Sequence, residues 1–157
     1  GPFFRREFVF SDENSELVFH GSTFSVLMDI ANRSVYRKKE TPFELNCTSD
    51  EFTIEASPAF KTDMDFEKVD ERKVYSSFID CLGHVNNARY GEFAYDALDE
   101  EEKNNLQKIK RYDMFFLSEL RKNDTFSVLK AKDGQNIIIR GINNDTGNIS
   151  FDIIMKV

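Results

Sequence analysis

Residues 75–90, YSSFIDCLGHVNNARY, carry the densest set of polar groups in the sequence. The apolar and aromatic residues of Val74–Ile79 predict a strand that ends at Asp80. The spacing of apolar residues further on predicts a helix over Gly83–Leu98. A strand that ends where a helix begins gathers polar side chains in one place, so we expect a functional site here.

The residues after this segment predict a series of antiparallel strands. Turn signals separate the strands at residues 122–124, 132–134 and 144–147. The predicted strands are Leu106–Leu120, Thr125–Lys132, Asn136–Asn143 and Ile149–Val157. A strand, a helix and then a meander of strands make an α+β arrangement. We expect the sheet to curve around the single apolar helix.

The N-terminal part of the chain is also typical of β-structure. Residues 4–10 and 16–37 are rich in aromatic and β-branched residues, and a polar turn cluster separates them at 11–15. Because an isolated hairpin is marginally stable in water, these strands require a partner sheet. Residues 41–73 are charged and show no sustained period, which predicts a linker between two domains.

Composition and charge argue against several classes of protein. The chain of 157 residues suits one domain, or one domain plus part of another. Its 21 basic and 28 acidic residues give a net charge of −7, whereas a general nucleic-acid binder is normally basic. No apolar run approaches the roughly 20 residues of a membrane span.

The cysteine and histidine counts limit the chemistry further. Two cysteines make no disulfide framework and fit a reducing compartment, so we predict a cytoplasmic protein. With only two histidines there is no cluster with zinc spacing, and we predict no metal site.

The pattern DxxGHVNNxxY of residues 80–90 resembles the signature of the hotdog-fold thioesterases. Within that superfamily it is most similar to the acyl-acyl carrier protein (acyl-ACP) thioesterases of bacteria and plants. Residues 22–29 with Arg33 resemble the strand that closes the first of this family's two hotdog domains. Residues 58–60 resemble the crossing between the domains, and Glu119 followed by Asp124 resembles the family's Glu-x-x-x-x-Asp pattern.

The resemblance implies a fold and a domain organisation. A hotdog fold is a long central helix wrapped by a curved antiparallel sheet, and family members usually carry two in tandem. Only the second helix is present here, so the chain resembles the C-terminal two-thirds of the family architecture. We expect residues 1–40 to be closing strands of a partial first hotdog, 41–73 a linker and 74–157 a complete C-terminal hotdog.

The resemblance also implies an activity, the hydrolysis of acyl-ACP to free fatty acid and carrier protein in fatty acid biosynthesis. It assigns catalysis to Asp80, His84 and Glu119. Asp80 would act as nucleophile or base, Glu119 would hold or deprotonate the same water, and His84 would orient the water or the thioester oxygen. No cofactor is expected, since thioester hydrolysis requires none.

Substrate binding is expected at the start of the helix. The residues concerned are Gly83, Asn86, Asn87 and Tyr90. A helix that begins near Gly83 would offer free backbone N–H groups to an oxyanion. One departure stands out: family members usually have Asn two residues after the Asp, where this chain has Leu82.

Each candidate residue also has a purely structural interpretation. Asp80 would suit a helix N-cap, and Asn86 and Asn87 would pack against a neighbouring strand. His84 would be a satisfied buried histidine, Glu119 would pair with Arg121 or Lys122, and Tyr90 would pack the helix on the sheet. Cys81, which follows Asp80, is disfavoured as a nucleophile.

The expected partners are a carrier protein and its fatty acyl chain. Because acyl carrier protein is strongly acidic, a basic patch should receive it. Two clusters qualify, although either would also suit a solvated face: Arg33, Arg37, Lys38 and Lys39, then Lys108, Lys110 and Arg111. Exposed sheet edges predict a homodimer or higher assembly. The alternative functions are an acyl-CoA thioesterase and a non-catalytic acyl-binding or assembly domain.

Overall fold

The computed structural model describes residues 3–32, 34–37, 41, 43–44 and 51–157. The chain divides into two compact units, residues 1–58 and residues 59–157. No helix among the described residues combines the length and the apolar character that a membrane crossing needs.

The first unit contains the predicted N-terminal hairpin. Strands β1 (Phe3–Ser11) and β2 (Leu17–Val26) pair antiparallel, and two short strands follow, β3 (Met28–Asp29) and β4 (Ser34–Val35). The strand prediction for this part is confirmed. Its assignment to a partial first hotdog stays a prediction.

The Glu7 side chain binds the segment at residues 52–54 to this hairpin. Its carboxylate accepts hydrogen bonds from the backbone N–H groups of Thr53 at 2.9 Å and Ile54 at 3.1 Å. The hydrogen bond from the Thr53 N–H is the main cause that lowers the pKa of Glu7 to about 2. Arg5 lies over the ring of Phe52 at 4.2 Å and pairs with Glu7 at 2.7 Å. The segment at 52–54 is therefore held by charge as well as by backbone hydrogen bonds.

The second unit is built on a five-stranded antiparallel sheet with the order β5-β7-β8-β9-β6. The strands are β5 (Glu67–Lys73), β6 (Arg111–Phe116), β7 (Thr125–Asp133), β8 (Asn136–Asn143) and β9 (Ile149–Lys156). The helices are α1 (Asn87–Asp96), α2 (Glu100–Asn104) and the 3-10 turns Ser76–Phe78 and Leu106–Lys108. A mostly antiparallel sheet with few helices confirms the predicted α+β class.

Helix α1 packs on one face of this sheet and closes the core. Phe93 and Ala94 of the helix are buried among side chains from three strands, including Phe126, Ile139 and Phe151. These strand residues alternate with others that point to the opposite face, as the pleat of a strand requires. The helix has ten residues, so it is shorter than the predicted Gly83–Leu98.

The predicted strand at Val74–Ile79 is wrong. That segment contains the 3-10 turn, whereas strand β5 occupies Glu67–Lys73, inside the predicted linker. Strand β5 lacks apolar alternation because its helix-facing side chains are charged. Arg72 donates to Asp70 at 2.6 Å and to Asp96 at 3.0 Å, so charge pairing replaces apolar contact on this edge strand.

The predicted strand Leu106–Leu120 is too long at both ends. A 3-10 turn occupies its first residues, and strand β6 stops at Phe116. Beyond that point the N–H groups of Leu117 and Ser118 both donate to the carbonyl of Ser150, which ends regular pairing. The other three predicted strands correspond to β7, β8 and β9 and are confirmed.

Gly141 gives a test of this packing. It lies opposite Phe151 in the β8–β9 pair, and a Cβ added to Gly141 would overlap the Phe151 ring. Since Phe151 is fully buried, the ring has no free space to enter. We expect Gly141→Ala to lower the free energy of unfolding by about 1–3 kcal/mol, measured by urea denaturation.

Gly91→Ala is the matched control. Gly91 lies within α1, where a new Cβ would make only an ordinary contact of 3.9 Å with the Tyr112 hydroxyl. Since Ala favours a helix over Gly, this variant should be as stable as the wild type or more stable. An equal loss of stability in both variants would contradict the packing argument.

Candidate active site

A tight loop at residues 80–84 carries Asp80 and His84. The Asp80 N–H donates to the His84 carbonyl at 3.0 Å, and an isolated antiparallel bridge flanks the loop. Gly83 turns the chain with a φ of 84°, a conformation that glycine adopts without steric cost. The loop therefore brings the carboxylate and the imidazole side by side.

The Asp80 carboxylate is partly buried and has two different surroundings. Its Oδ1 accepts the Leu82 N–H at 2.8 Å, whereas its Oδ2 lies 3.7 Å from His84 Nδ1. The two side chains are 20% and 23% exposed, so solvent reaches both. Asp80 does not cap a helix, and that structural interpretation is wrong because α1 begins seven residues later, at Asn87.

His84 is oriented by two oxygen atoms. Its Nδ1 lies 3.3 Å from the carbonyl of Val85 and 3.7 Å from the Asp80 carboxylate. Two acceptors beside one nitrogen favour a proton on Nδ1, which leaves Nε2 of the neutral ring as an acceptor. The His84 side chain is half-buried, so it is not a histidine enclosed in the core.

The two asparagines have separate positions at the start of the helix. Asn86 is the N-cap of α1: its side chain accepts the Ala88 N–H at 2.9 Å, and its own N–H donates to the Phe78 carbonyl at 2.8 Å. Asn87 is the first helical residue and is exposed. The sequence predicted that both asparagines would pack against a strand. Instead, Asn86 caps the helix and Asn87 is exposed.

The predicted helix start at Gly83 is wrong, and the role of Gly83 toward an oxyanion or substrate stays a prediction. The Gly83 N–H donates to the Asp80 carbonyl at 3.1 Å, so it is already engaged. The N-terminus of α1 lies at Asn87 instead of Gly83, because the tight loop delays the helix. Asn87 therefore lies at the N-terminus of the helix, whereas Gly83 lies in the loop before it.

Tyr90 extends from the first turn of α1 into the core and is only 4% exposed. Its ring packs against Phe116 and Phe151 at 5.5 and 4.9 Å. Burial raises the pKa of Tyr90 to about 12, although a hydrogen bond from the Leu120 backbone partly opposes the shift.

Two carboxylates also act on the Tyr90 hydroxyl. The charges of Glu119 and Asp80 both raise the pKa of Tyr90. Independently, the Val85 N–H donates to the Leu120 carbonyl at 2.8 Å, so the residue after Glu119 is bonded to the residue after His84. The fold thus brings Asp80, His84, Tyr90 and Glu119 into one region, although Glu119 is distant from the others in sequence.

Glu119 lies in the loop between β6 and β7 and is exposed. Arg121 donates to its Oε2 at 2.9 Å, so the predicted pairing with Arg121 is confirmed. Both side chains are about half exposed, at 46% for Glu119 and 55% for Arg121, and a pair of this kind contributes little stability. The pair leaves Glu119 accessible to a water or a substrate.

Asp124 closes the turn after Glu119. Its Oδ2 accepts the Arg121 N–H at 2.9 Å and an amide hydrogen of Asn143 at 3.0 Å. Asn143 is buried, and the sequence predicted it only as the last residue of a strand before a turn. This contact between distant residues could not be read from local pattern, and it fixes the loop that carries Glu119.

The two residues between Asp80 and Gly83 face solvent. Leu82 is 73% exposed, and Cys81 is an exposed thiol within the loop. Leu82 stands where the resemblance places an amide side chain, so an exposed apolar side chain occupies this position.

The structure describes only some residues of the two predicted basic clusters. Lys108 and Lys110 are exposed, whereas Arg111 donates to Asp113 at 2.9 Å. Arg37 is exposed, and Arg33, Lys38 and Lys39 lie outside the described residues. Two lysines of the second cluster therefore remain available to an acidic partner.

Across residues 3–32, 34–37, 41, 43–44 and 51–157, no group of three His, Cys, Asp or Glu side chains is arranged to hold a metal ion.

Residues 61–155 match the model of the acyl-ACP thioesterase C-terminal domain. A comparison with curated protein sequences finds no significant match. The domain match covers the five-stranded sheet except its last residue, Lys156, and includes both α-helices and the loop of Asp80.

Two solved structures share the fold over nearly the whole chain. An acyl-ACP thioesterase from Bacteroides thetaiotaomicron superposes with a TM-score of 0.71 and 17% identity, over 98% of this chain and 62% of that one. The 12:0-ACP thioesterase from Umbellularia californica gives 0.67 and 16%, over 97% and 61%. The chain therefore spans about three-fifths of the length of these two proteins.

Proposed function

Because the chain belongs to the acyl-ACP thioesterase family, we propose that it hydrolyses the thioester of acyl-ACP to free fatty acid and carrier protein. One observation carries the proposal: the Val85 N–H donates to the Leu120 carbonyl at 2.8 Å, which brings the segment of Glu119 beside the loop where His84 lies 3.7 Å from the Asp80 carboxylate. We place the reaction in cytoplasmic fatty acid biosynthesis, as the sequence resemblance and the cysteine usage predict.

In the proposed reaction, water attacks the thioester carbon. Asp80 takes a proton from this water, and Glu119 holds the same water in place. The new C–O bond forms as the carbonyl becomes an oxyanion. His84 orients this water. The C–S bond then breaks, the carrier thiolate takes the proton that Asp80 received from the water and leaves as the thiol, and the free acid is released.

Asn87 is the proposed donor to the oxyanion. It is exposed at the first position of α1, where the helix dipole also favours negative charge. Asn86 is unsuited to this role because its side-chain oxygen caps the helix. Asn87 would thus replace the amide that Leu82 lacks.

The architecture of the whole protein is also part of the proposal. We propose that the N-terminal hairpin is part of a first hotdog domain. The second unit would be the C-terminal hotdog, with α1 as its central helix. The edge strands β5 and β6 favour a homodimer or higher assembly, since an open edge is a site of strand pairing.

The test is hydrolysis of long-chain acyl-ACP, followed by release of free thiol, with acyl-CoA as the competing substrate. Turnover of acyl-ACP with a higher kcat/KM than acyl-CoA supports the proposal. A preference for acyl-CoA would assign the chain to the alternative thioesterase class. Binding of acyl-ACP without turnover would indicate a non-catalytic acyl-binding domain, which the exposed Leu82 in place of an amide favours.

The exposed lysines give a prediction about the carrier protein. Reversing two charges with Lys108→Glu and Lys110→Glu should raise KM for acyl-ACP about tenfold, because an acidic partner loses its electrostatic steering. The KM for acyl-CoA hydrolysis should change less than that for acyl-ACP. Steady-state kinetics at two salt concentrations measures both effects.

Lys61→Glu with Lys73→Glu is the matched control, since both lysines are exposed and the change in net charge is the same. If this control raises KM for acyl-ACP by as much as the Lys108 and Lys110 variant, net charge alone is responsible. That result would show that Lys108 and Lys110 do not form a docking site for the carrier protein.

A further inference from the structure

We propose that Asp124 and Asn143 form a positioning pair that keeps the Glu119 turn, residues 119–124, in register with the loop of Asp80. The inference rests on the proposed function, because it concerns how the two carboxylates of the site are aligned. Neither member of the pair has a part in the proposed hydrolysis itself, so each acts only through the backbone that it holds.

The segment at residues 74–85, which carries the loop of Asp80, is bonded to this turn at its first residue. The Val74 N–H donates to the Asp124 carbonyl at 2.8 Å, and the Val74 carbonyl accepts the Asn123 N–H at 3.1 Å. Val74 is fully buried, so water does not compete for these bonds. The start of the segment therefore follows the position of the turn.

The last residue of the same segment is also bonded to the turn. The Val85 N–H donates to the Leu120 carbonyl at 2.8 Å, and both residues are buried. Val85 follows His84 and Leu120 follows Glu119, so this bond joins the neighbours of two proposed catalytic residues. Because the segment is attached near both ends of the turn, a change in the shape of the turn would move Glu119 relative to the segment.

The shape of the turn depends on one oxygen atom of Asp124. Its Oδ2 accepts the Arg121 N–H at 2.9 Å, across the turn, and an amide hydrogen of Asn143 at 3.0 Å. The Asp124 N–H also donates to the Arg121 carbonyl at 3.0 Å. Asn143 is the last residue of β8, so its bond to Asp124 connects the turn to the five-stranded sheet.

The side-chain amide of Asn143 is buried and is hydrogen-bonded through both of its polar atoms. Its oxygen accepts the N–H groups of Asp145 and Thr146 at 2.9 and 3.1 Å, whereas its nitrogen donates to Asp124. A buried amide is unfavourable unless it is bonded in this way. A carboxylate at this position could accept the same two N–H groups, but it could not donate to Asp124.

Asp124→Ala tests the proposal, because it removes the acceptor of both side-chain bonds. We expect kcat for acyl-ACP to fall about 10- to 100-fold, since a small displacement of a reacting group costs that much, with KM within about twofold of the wild type. Asp124→Asn should keep kcat within about threefold, because its amide oxygen can accept from both Arg121 and Asn143. Equal losses in the two variants would overturn the proposal, since the charge of Asp124 would then matter instead of its bonds.

Asn143→Asp tests the other member of the pair. The new carboxylate keeps the bonds to the β8–β9 turn but faces the Asp124 carboxylate, so the pair should separate and kcat should again fall about 10- to 100-fold. Asn144→Asp is the matched control: it makes the same substitution one residue later, at an exposed side chain that accepts from Ser127. It should change neither kcat nor KM, and an equal fall in both variants would contradict the proposal.

A double-mutant cycle separates alignment of the carboxylates from a general loss of structure. In a Glu119→Gln background, Asp124→Ala should lower kcat by at most about twofold more, because no second carboxylate remains to be aligned with Asp80. A further loss as large as that of Asp124→Ala alone would overturn the proposal. It would show that Asp124 acts independently of Glu119.

Hydrogen exchange at the Val85 amide gives a readout that does not require activity. Because the bond of Val85 to Leu120 depends on the turn, Asp124→Ala should speed exchange at this amide about tenfold, while the amides of buried strand residues such as Ile153 keep their rates. Unchanged exchange at Val85 would overturn the proposal. If the wild type hydrolyses no thioester, the proposed function fails separately, and the exchange result still decides whether Asp124 holds the segment.

Discussion

Replacing Asp80 with asparagine is expected to lower kcat for acyl-ACP hydrolysis about 10³-fold. Asparagine has the shape of aspartate, and its amide oxygen can still accept the Leu82 N–H that shapes the loop. The change therefore removes the base and leaves the fold. Progress curves of thiol release, with thermal unfolding of the same sample, measure the loss of activity and the retained stability.

Asp113→Asn is the matched control for this variant. Its carboxylate is 19% exposed and pairs with Arg111, so its burial resembles that of Asp80 while it lies on strand β6. Hydrolysis should be unaffected by this change. If Asp80→Asn retains more than a tenth of the wild-type kcat, Asp80 is not the base, and the mechanism proposed for the site is wrong.

The second large effect is expected on stability, at Asp152. This residue is fully buried, and its two oxygens accept from Arg140 at 2.7 and 3.0 Å. The ring of Phe66 lies 4.5 Å from the same guanidinium, on the face of the sheet opposite α1. Asp152→Asn leaves the arginine without its counter-charge and should lower the free energy of unfolding by about 3–5 kcal/mol.

Two further variants make this prediction specific. Replacing both partners, with Arg140→Leu and Asp152→Leu, should recover much of the lost stability, because no unpaired charge remains. Asp113→Asn, which breaks a more exposed pair, should cost about 1 kcal/mol or less. Urea denaturation of the four proteins tests the ordering. An Asp152→Asn variant as stable as Asp113→Asn would contradict it.

Particular elements show how far local pattern determines this fold. Strands β7, β8 and β9 were predictable because apolar residues alternate within them and Gly- or Asn-containing turns separate them. Strand β5 was not, because its helix-facing residues Asp70 and Arg72 pair with each other. A charged edge strand has the composition of a linker until its partner strand is known.

The start of the helix shows a second limit. Apolar spacing predicted its existence but placed its start at Gly83, four residues too early. The loop bonds of Asp80 and the cap at Asn86 compete with helical turns in this segment. Such competition depends on side-chain hydrogen bonds, which periodicity does not contain.

The sequence by itself determined the class of fold, the strands of the meander and, through the pattern of residues 80–90, the family to which the chain belongs. These properties depend on local periodicity and on residue types at fixed spacing. Only the tertiary structure decided that the Leu120 carbonyl bonds to the residue after His84, and that Asn143 holds the turn after Glu119. Those contacts join residues far apart in sequence, and their geometry is set by how the sheet and helix pack.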